Sequence, residues 1–317
     1  MTELEIQHLL DSAHEHMRNN ALKLSQSLFS EALTAISTLP DSLTQKNLFI
    51  RTYSGLSFCL SRASEFVEAE ETAARAVALL GDTTPYDLQC NAYYFFALAK
   101  YYLSQFSDAL PLLQKSYALA EANGDDKLLG RAANTIANIF FNLGDYHKAT
   151  EFYQISLSHM RRIDNQSGIA MALNNIGVVF RTTHDLKAAL EVQMESLNIR
   201  RHINETSGIA MSLNNIANIY SDMSDHETAL AFAKESLSIH EHLNDDYGTA
   251  LSLNIVARCL KHLGDTHIAF NYHWQSLLLR LKIKDRFGEI LSYLDLGELY
   301  AKNPSLPCRF PPEPSAD

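Results

Sequence analysis

A 40-residue self-similarity runs through the second half of this chain and restricts it to a stack of like units. Four copies read GRAANTIANIFFNLGDY, GIAMALNNIGVVFRTTHDL, GIAMSLNNIANIYSDMSDH and GTALSLNIVARCLKHLGDT, starting at Gly130, Gly168, Gly208 and Gly248. Each copy carries two apolar patterns at helical spacing. In the first, Ala133, Ile136, Ala137 and Phe140 recur at i, i+3, i+4 and i+7; in the second, Ala149, Tyr153 and Ser156 recur at i, i+4 and i+7. The break between them has the chemistry of a helix–turn–helix junction. Gly144 and Gly264 are free to adopt the left-handed conformation that ends a helix, and Asp145 or Asp265 is placed to cap the next. Further cap candidates lie in the connectors IDNQSG, INETSG and LNDDYG. The cations closing the second helices, Arg161, Arg162, Arg200, Arg201 and Arg280, read as structural partners of the negative helix end.

The register extends upstream. Ala69, Ala109 and Ala149 are successive 40-residue steps, as are the small residues Ser57, Ala97, Ala137, Gly177, Ala217, Ala257 and Gly297. A divergent pair precedes them, over about Glu5–Met17 and Ala21–Ile36, with Ile6, Leu9, Leu10, Leu28, Phe29 and Ala32 as its core. At the other end Gly288–Lys302 reads as a first helix with no second. The stretch after it holds five of the eight prolines, which precludes helix continuation. Either Gly288–Lys302 is a lone capping helix, or the chain stops inside a further repeat of a longer relative.

A first helix with Leu173, Ile176, Gly177 and Phe180, and a second with Ala189 and Ser196, resembles the tetratricopeptide repeat. The spacing is that of the longer forms found in kinesin light chains, spindle-orientation adaptors and bacterial signalling proteins. The resemblance covers Gly130–Ser276 and, more loosely, the chain back to about residue 45; the proline near the end of the family's second helix is absent. It implies an all-α, right-handed α-solenoid of helix pairs. The expected layout is a divergent pair over 1–42, six pairs over 43–286, an unpaired helix over 287–303 and a disordered Pro-rich tail over 304–317.

Function classes narrow by composition. The formal charge of −11 argues against a nucleic-acid or anionic-membrane binder. No secretion signal or membrane-length apolar run is present. The four cysteines, Cys59, Cys90, Cys259 and Cys308, lie far apart and read as reduced thiols of a cytoplasmic protein. The 13 histidines show no ligand spacing, with neither HExxH nor a Cys/His cluster, so no metal is expected. No GxSxG, Walker loop or GxGxxG occurs; no catalysis and no cofactor are expected.

A helical wheel at 100° per residue separates two faces of the first helices. The core positions centre on one side. The other carries Arg131, Asn134, Thr135, Asn138 and Asn142; Met171, Asn174, Asn175, Val178 and Arg181; Met211, Asn214, Asn215, Asn218 and Asp222; and Leu251, Asn254, Arg258, Lys261 and His262. The resemblance places that face on the inside of the solenoid. An amide offers both a donor and an acceptor, so an Asn ladder suits the main chain of an extended peptide. Arg181, Arg258 and Lys261 would select carboxylates, and the methionines would give adaptable apolar contact. The same amides have another use, bonding between neighbouring helices. In the earlier repeats this face changes to Arg51, Ser54 and Phe58, then Asn91, Tyr94, Leu98 and Tyr101, whose aromatics read as packing residues. The functional expectation is a non-catalytic scaffold that binds a peptide or partner segment. The alternatives are a sensor that controls a kinase, cyclase or transcription factor, and self-association through the last helix.

Overall fold

The structure, a computed structural model, describes residues 1–18, 21–304 and 306. Fifteen α-helices are present among them, and no strand. The chain divides into two compact units, Met1–Asp164 and Asn165–Asp317.

The first unit contains α1 (Glu3–Arg18), α2 (Leu22–Ile36), α3 (Leu43–Arg62), α4 (Phe66–Ala78), α5 (Tyr86–Tyr102), α6 (Phe106–Ala122), α7 (Asp126–Asn142) and α8 (Tyr146–Arg162). The second contains α9 (Gln166–Thr182), α10 (Leu186–His202), α11 (Thr206–Asp222), α12 (His226–His242), α13 (Asp246–Leu263), α14 (Thr266–Ile283) and α15 (Arg286–Lys302). Odd-numbered helices are the first, or A, helices of the repeats; even-numbered ones are the B helices.

The local chemistry that makes these helices recurs every 20 residues. Between A and B helices the residue in the left-handed region is Ser64, Ser104, Gly144, His184, Ser224 or Gly264. Between B and A helices it is Gly124, Asp164, Asn204, Asn244 or Lys284. Glycine meets this demand without a Cβ penalty, yet most positions carry another residue. The repeat geometry therefore imposes the conformation even where it costs about 1–2 kcal/mol. Caps follow the same beat. Asp125, Asp145, Asn165, Asp185, Asp225, Asp245 and Asp285 each accept a bond from a backbone N–H three residues on. A cap of this kind contributes about 1 kcal/mol. Asp265 stands at the same place but makes no such bond, and Glu205 replaces a capping residue.

Packing within each repeat uses the predicted series. Ala69, Ala109, Ala149, Ala189, Ala229 and Ala269 are fully buried, and so are Ala97, Ala137, Ala217 and Ala257 opposite them. A buried serine on α6, α8, α10, α12 and α14 then bonds the A helix of its own repeat. Ser156 donates to the Gly130 carbonyl at 2.7 Å, and Ser196, Ser236 and Ser276 repeat this on Ala170, Ala210 and Ala250. In the divergent first pair Ile6, Leu10, Phe29 and Ala32 are fully buried, with Leu9 and Leu28 packed at the edge.

The arginines at the ends of B helices do more than neutralise a helix end. Arg200 and Arg280 are buried and reach forward eight residues, Arg200 to the Gly208 carbonyl at 2.6 Å and Arg280 to the Gly288 carbonyl at 2.5 Å. Each fastens a B helix to the start of the next A helix.

The last helix differs from the other A helices. Ile290, Tyr293 and Leu294 are exposed, and nothing approaches Gly297. Ala250, Leu253 and Ala257, the equivalents of Ile290, Tyr293 and Gly297, are buried, and Asn254, the equivalent of Leu294, is half-buried. The Pro-rich stretch expected to be disordered lies outside the described residues except for Pro304 and Leu306. Leu306 is buried with Phe270, Leu277, Leu296 and Leu299, so the chain is still packed at that point. Cys59, Cys90 and Cys259 are buried free thiols, which burial holds above their ordinary pKa; Cys308 is outside the described residues.

Candidate functional site

The wheel's second face is a row of polar side chains in each unit, and many of them bond to a residue on the A helix one repeat away. In the second unit Asn215 on α11 donates to Asn174 Oδ1 on α9 at 2.8 Å, and Asn174 donates to Asn175 at 3.3 Å. Ser252 on α13 donates to Asn214 Oδ1 at 3.0 Å. Asn254 donates to Asp295 on α15 at 2.7 Å and lies 3.3 Å from His273 Nδ1. Arg258 reaches Asn218 at 2.5 Å, Lys261 reaches Glu298 at 2.6 Å, and Arg181 faces Asp222 at 3.7 Å. In the first unit Asn138 accepts from the Tyr153 hydroxyl at 2.6 Å, and Asn134 is buried.

The two amides of an LNN pair therefore sit at different depths. Asn174 and Asn214 are only 5% and 7% exposed and serve as acceptors for the next A helix. Asn175 and Asn215 are half-buried and lie nearer the surface, with Asn218, Arg258, Lys261 and Arg181. A buried amide left unpaired is costly, so the deep asparagines are satisfied by neighbouring repeats. The wheel puts both amides on one face; the structure gives the shallow ones the greater access.

Exposed apolar side chains border this row. Met171, Met211, Leu251 and Leu291 occupy one register position in four successive A helices and are 42%, 48%, 36% and 40% exposed. In α9 and α11 the other large apolar residues are buried or half-buried, so the series begins as an apolar stripe laid beside amides; on α13 and α15 exposed Tyr247, Phe287, Ile290, Tyr293 and Leu294 accompany it. Amides, a methionine-rich stripe and two cations suit an extended chain with apolar side chains at intervals.

The electrostatics vary along the second unit. Hydrogen bonds from Lys261 and Lys302 hold the Glu298 carboxyl down at about 2, so it is ionised at any physiological pH. Burial pushes the His273 imidazole down to about 4, against the pull of Asp295, and keeps the ring neutral as the neighbour of Asn254. Among the described residues no group of three or more His, Cys, Asp or Glu is arranged to hold a metal ion. No helix among them is long and apolar enough to cross a membrane.

Sequence reasoning missed one place. In the first unit α1, α3, α5 and α7 border a half-open cavity of about 570 Å³, walled in part by Arg51, Asn91 and Arg131. These stand at the register position of Met171 and Met211, forty-residue steps upstream. The signal was available: a polar series replacing an apolar one at the same position.

Residues 128–202 and 208–282 match the family model described as the tetratricopeptide repeat. No curated protein sequence matches the chain. Among solved structures the chain is similar to the apo form of RapI, at 15% identity over 89% of this chain and 99% of that one, with a TM-score of 0.68. It is also similar to NprR, a quorum sensor from B. thuringiensis. The apo form matches at 15% identity over 95% of this chain and 94% of that one, with a TM-score of 0.63. NprR in complex with its cognate peptide NprX matches at 16% identity over 94% of this chain and 84% of that one, with a TM-score of 0.64. At these identities the likeness is one of fold.

Proposed function

Because this chain is a tetratricopeptide-repeat protein, we propose that its second unit is a non-catalytic binding surface for an extended peptide or partner segment. The observation that carries this is the exposed stripe of Met171, Met211, Leu251 and Leu291 beside the half-buried Asn175, Asn215 and Asn218. A hydrophobic series held in register over four repeats has no role in the core, and its spacing supports an elongated ligand. The amides pair with the ligand backbone while unbranched methionines adapt to its side chains. Arg258 and Lys261 bias one end toward acidic residues. The overall negative charge supports a protein partner over nucleic acid or an anionic membrane. The protein acts in the cytoplasm, a reading supported by its scattered free thiols.

Selection of a displayed random dodecapeptide library on the full chain tests this. Enriched sequences should bind wild type and lose about tenfold or more in affinity with Met171→Asp/Met211→Asp, with the melting temperature unchanged. Equal capture by both proteins, or no enrichment, would sink the reading.

A second reading has the bound segment act as a signal, with the array passing its occupancy to a separate output protein. The likeness to a quorum sensor favours it. Ligand-dependent capture of a kinase, cyclase or transcription factor by the full chain would distinguish it from a passive scaffold. Self-association is a further role for α15, because Phe287, Ile290 and Leu294 are exposed there. Light scattering of Leu294→Glu against wild type checks it; an unchanged mass excludes this face.

A further inference from the structure

One face of α15 is exposed from end to end. Phe287, Ile290, Leu294, Gly297 and Ala301 recur at i, i+3, i+7, i+10 and i+14, which keeps them within about 80° of one another around the helix. All five are exposed. Phe287 and Leu294 are the two most exposed large apolar side chains among the described residues. Leu291 and Tyr293, exposed as well, flank the stripe. The exposed parts of these five large residues amount to roughly 500–600 Å², the size at which an apolar patch marks an interaction site.

The residues on this face do not suit a B helix of the ordinary pattern. In the four preceding repeats the position of Ile290 is Gly130, Ala170, Ala210 or Ala250, and a B-helix serine comes close enough to bond its carbonyl. Ile290 puts a branched side chain in the way of that approach. Leu294 likewise replaces Asn134, Asn174, Asn214 and Asn254. Gly297 alone keeps the small residue of its series, after Ala137, Gly177, Ala217 and Ala257. At Gly177 the packing explains the glycine, since a Cβ there would lie 2.8 Å from the Gln193 side chain. At Gly297 nothing lies within 4 Å of a Cβ. A glycine in an exposed helix interior destabilises the helix relative to alanine, and nothing within one copy of the chain offsets this.

The stripe is bulky in its first half and small in its second. Turned end for end it is complementary to itself, which is what a two-fold axis between identical chains requires. With two copies of α15 laid antiparallel and centred level with Ser292, Phe287 of one falls opposite Gly297 of the other, and Ile290 opposite Leu294. We infer that two copies of this chain pair through α15 in this arrangement, each Phe287 seated in the notch over the partner's Gly297. Covering the stripe on both copies removes on the order of 1,000–1,200 Å² from water, the lower end for specific interfaces, which fits a dimer of micromolar affinity. The stripe itself is uncharged, so two chains of formal charge −11 meet where neither presents that charge. The inference rests on the self-association reading of α15 and adds the arrangement of the two helices to it.

Sedimentation velocity of the full chain tests this. Wild type should pass from monomer to dimer between about 1 and about 100 μM. Phe287→Gly leaves a void at each of the two contacts and Gly297→Phe a clash, so each should weaken dimerisation about a hundredfold. In the monomer the new side chain of Gly297→Phe enters open space, and its melting temperature should not fall below that of wild type. The double variant Phe287→Gly/Gly297→Phe exchanges the bulky and the small position and should recover dimerisation to within about threefold of wild type. An equimolar mixture of the two single variants should also dimerise, because each supplies the group that the other lacks. Wild type that stays monomeric at about 100 μM overturns the arrangement and the self-association reading together. A wild-type dimer that survives Gly297→Phe, or that the folded double variant does not restore, overturns the arrangement and leaves self-association standing.

Discussion

The two units answer the same register position in opposite ways. At 40-residue steps the first unit carries Asp11, Arg51, Asn91 and Arg131, and the second carries Met171, Met211, Leu251 and Leu291. In the first, the four side chains are tied in pairs, Arg51 to Asp11 and Arg131 to Asn91. In the second, all four are exposed apolar groups. One backbone scaffold thus presents a polar, partly enclosed cavity in one unit and an open apolar stripe in the other. A helix pair is made by its core positions and turns, so the remaining face is free to vary without affecting the fold.

The largest expected effect breaks this contrast directly. Met171→Arg/Met211→Arg gives the second unit the charges of the first. Affinity for a peptide enriched on wild type should fall by about a hundredfold, roughly 2.7 kcal/mol, measured by titration calorimetry. A loss below about threefold would mean that the stripe is not the contact.

Next in size is a difference in how the units tolerate a methyl group at the start of an A helix. A Cβ on Gly248 would lie 2.1 Å from His240 Nδ1, and His240 is itself bonded to Asp245 at 2.9 Å. A Cβ on Gly130 would meet the Met160 Cε methyl at 2.2 Å, the mobile end of a flexible side chain. Gly248→Ala should therefore cost about 1–3 kcal/mol, and Gly130→Ala distinctly less, by urea denaturation. Equal costs would show that the His240 contact yields as readily as the methionine.

A third difference depends on pH. His273 is depressed to about 4 in the folded second unit, and its place in the first unit is taken by Tyr153. The unfolded chain binds a proton there near pH 6.5 while the folded chain stays neutral. Stability is therefore lost as pH falls from about 6.5 toward 4, on the order of 2 kcal/mol from this group. His273→Gln should flatten that part of the profile, since Gln193 fills the same position in α10 and bonds the Asn174 carbonyl at 2.8 Å. An unchanged slope between pH 6.5 and 4 would assign the effect to other groups.

The smallest effect concerns the turns, where the units should agree. Ser104 in the first unit and His184 in the second are left-handed, with φ of 59° and 63°. Glycine at either should raise stability by up to about 1 kcal/mol, offset in part by the greater freedom of the unfolded chain. A destabilised Ser104→Gly or His184→Gly would point to side-chain contacts in the turn that outweigh the backbone conformation.

Much of the candidate site could be read directly. The wheel separated Asn174 and Asn175 from Leu173 and Ile176, and the structure keeps Leu173 and Ile176 in the core with the amides beside them. It could not rank the amides. Asn174 and Asn175 are adjacent in sequence, yet the first turns toward the core edge, where Asn215 of the next repeat reaches it. Arg200 posed the same difficulty: a cation at a helix end reads as a partner of that helix's own negative end until the following helix is seen to start over it.

Periodicity, turn chemistry and capping determined the helix pairs, because these act over a few residues and each repeat states them again. Tertiary structure alone decided which polar groups were consumed by neighbouring repeats and which stayed available. Those bonds join residues about forty apart, and their geometry depends on how closely successive A helices approach. The same approach placed Asn47, Ser54 and Arg131 around one half-open cavity in the first unit and left Met171 and Met211 exposed in the second.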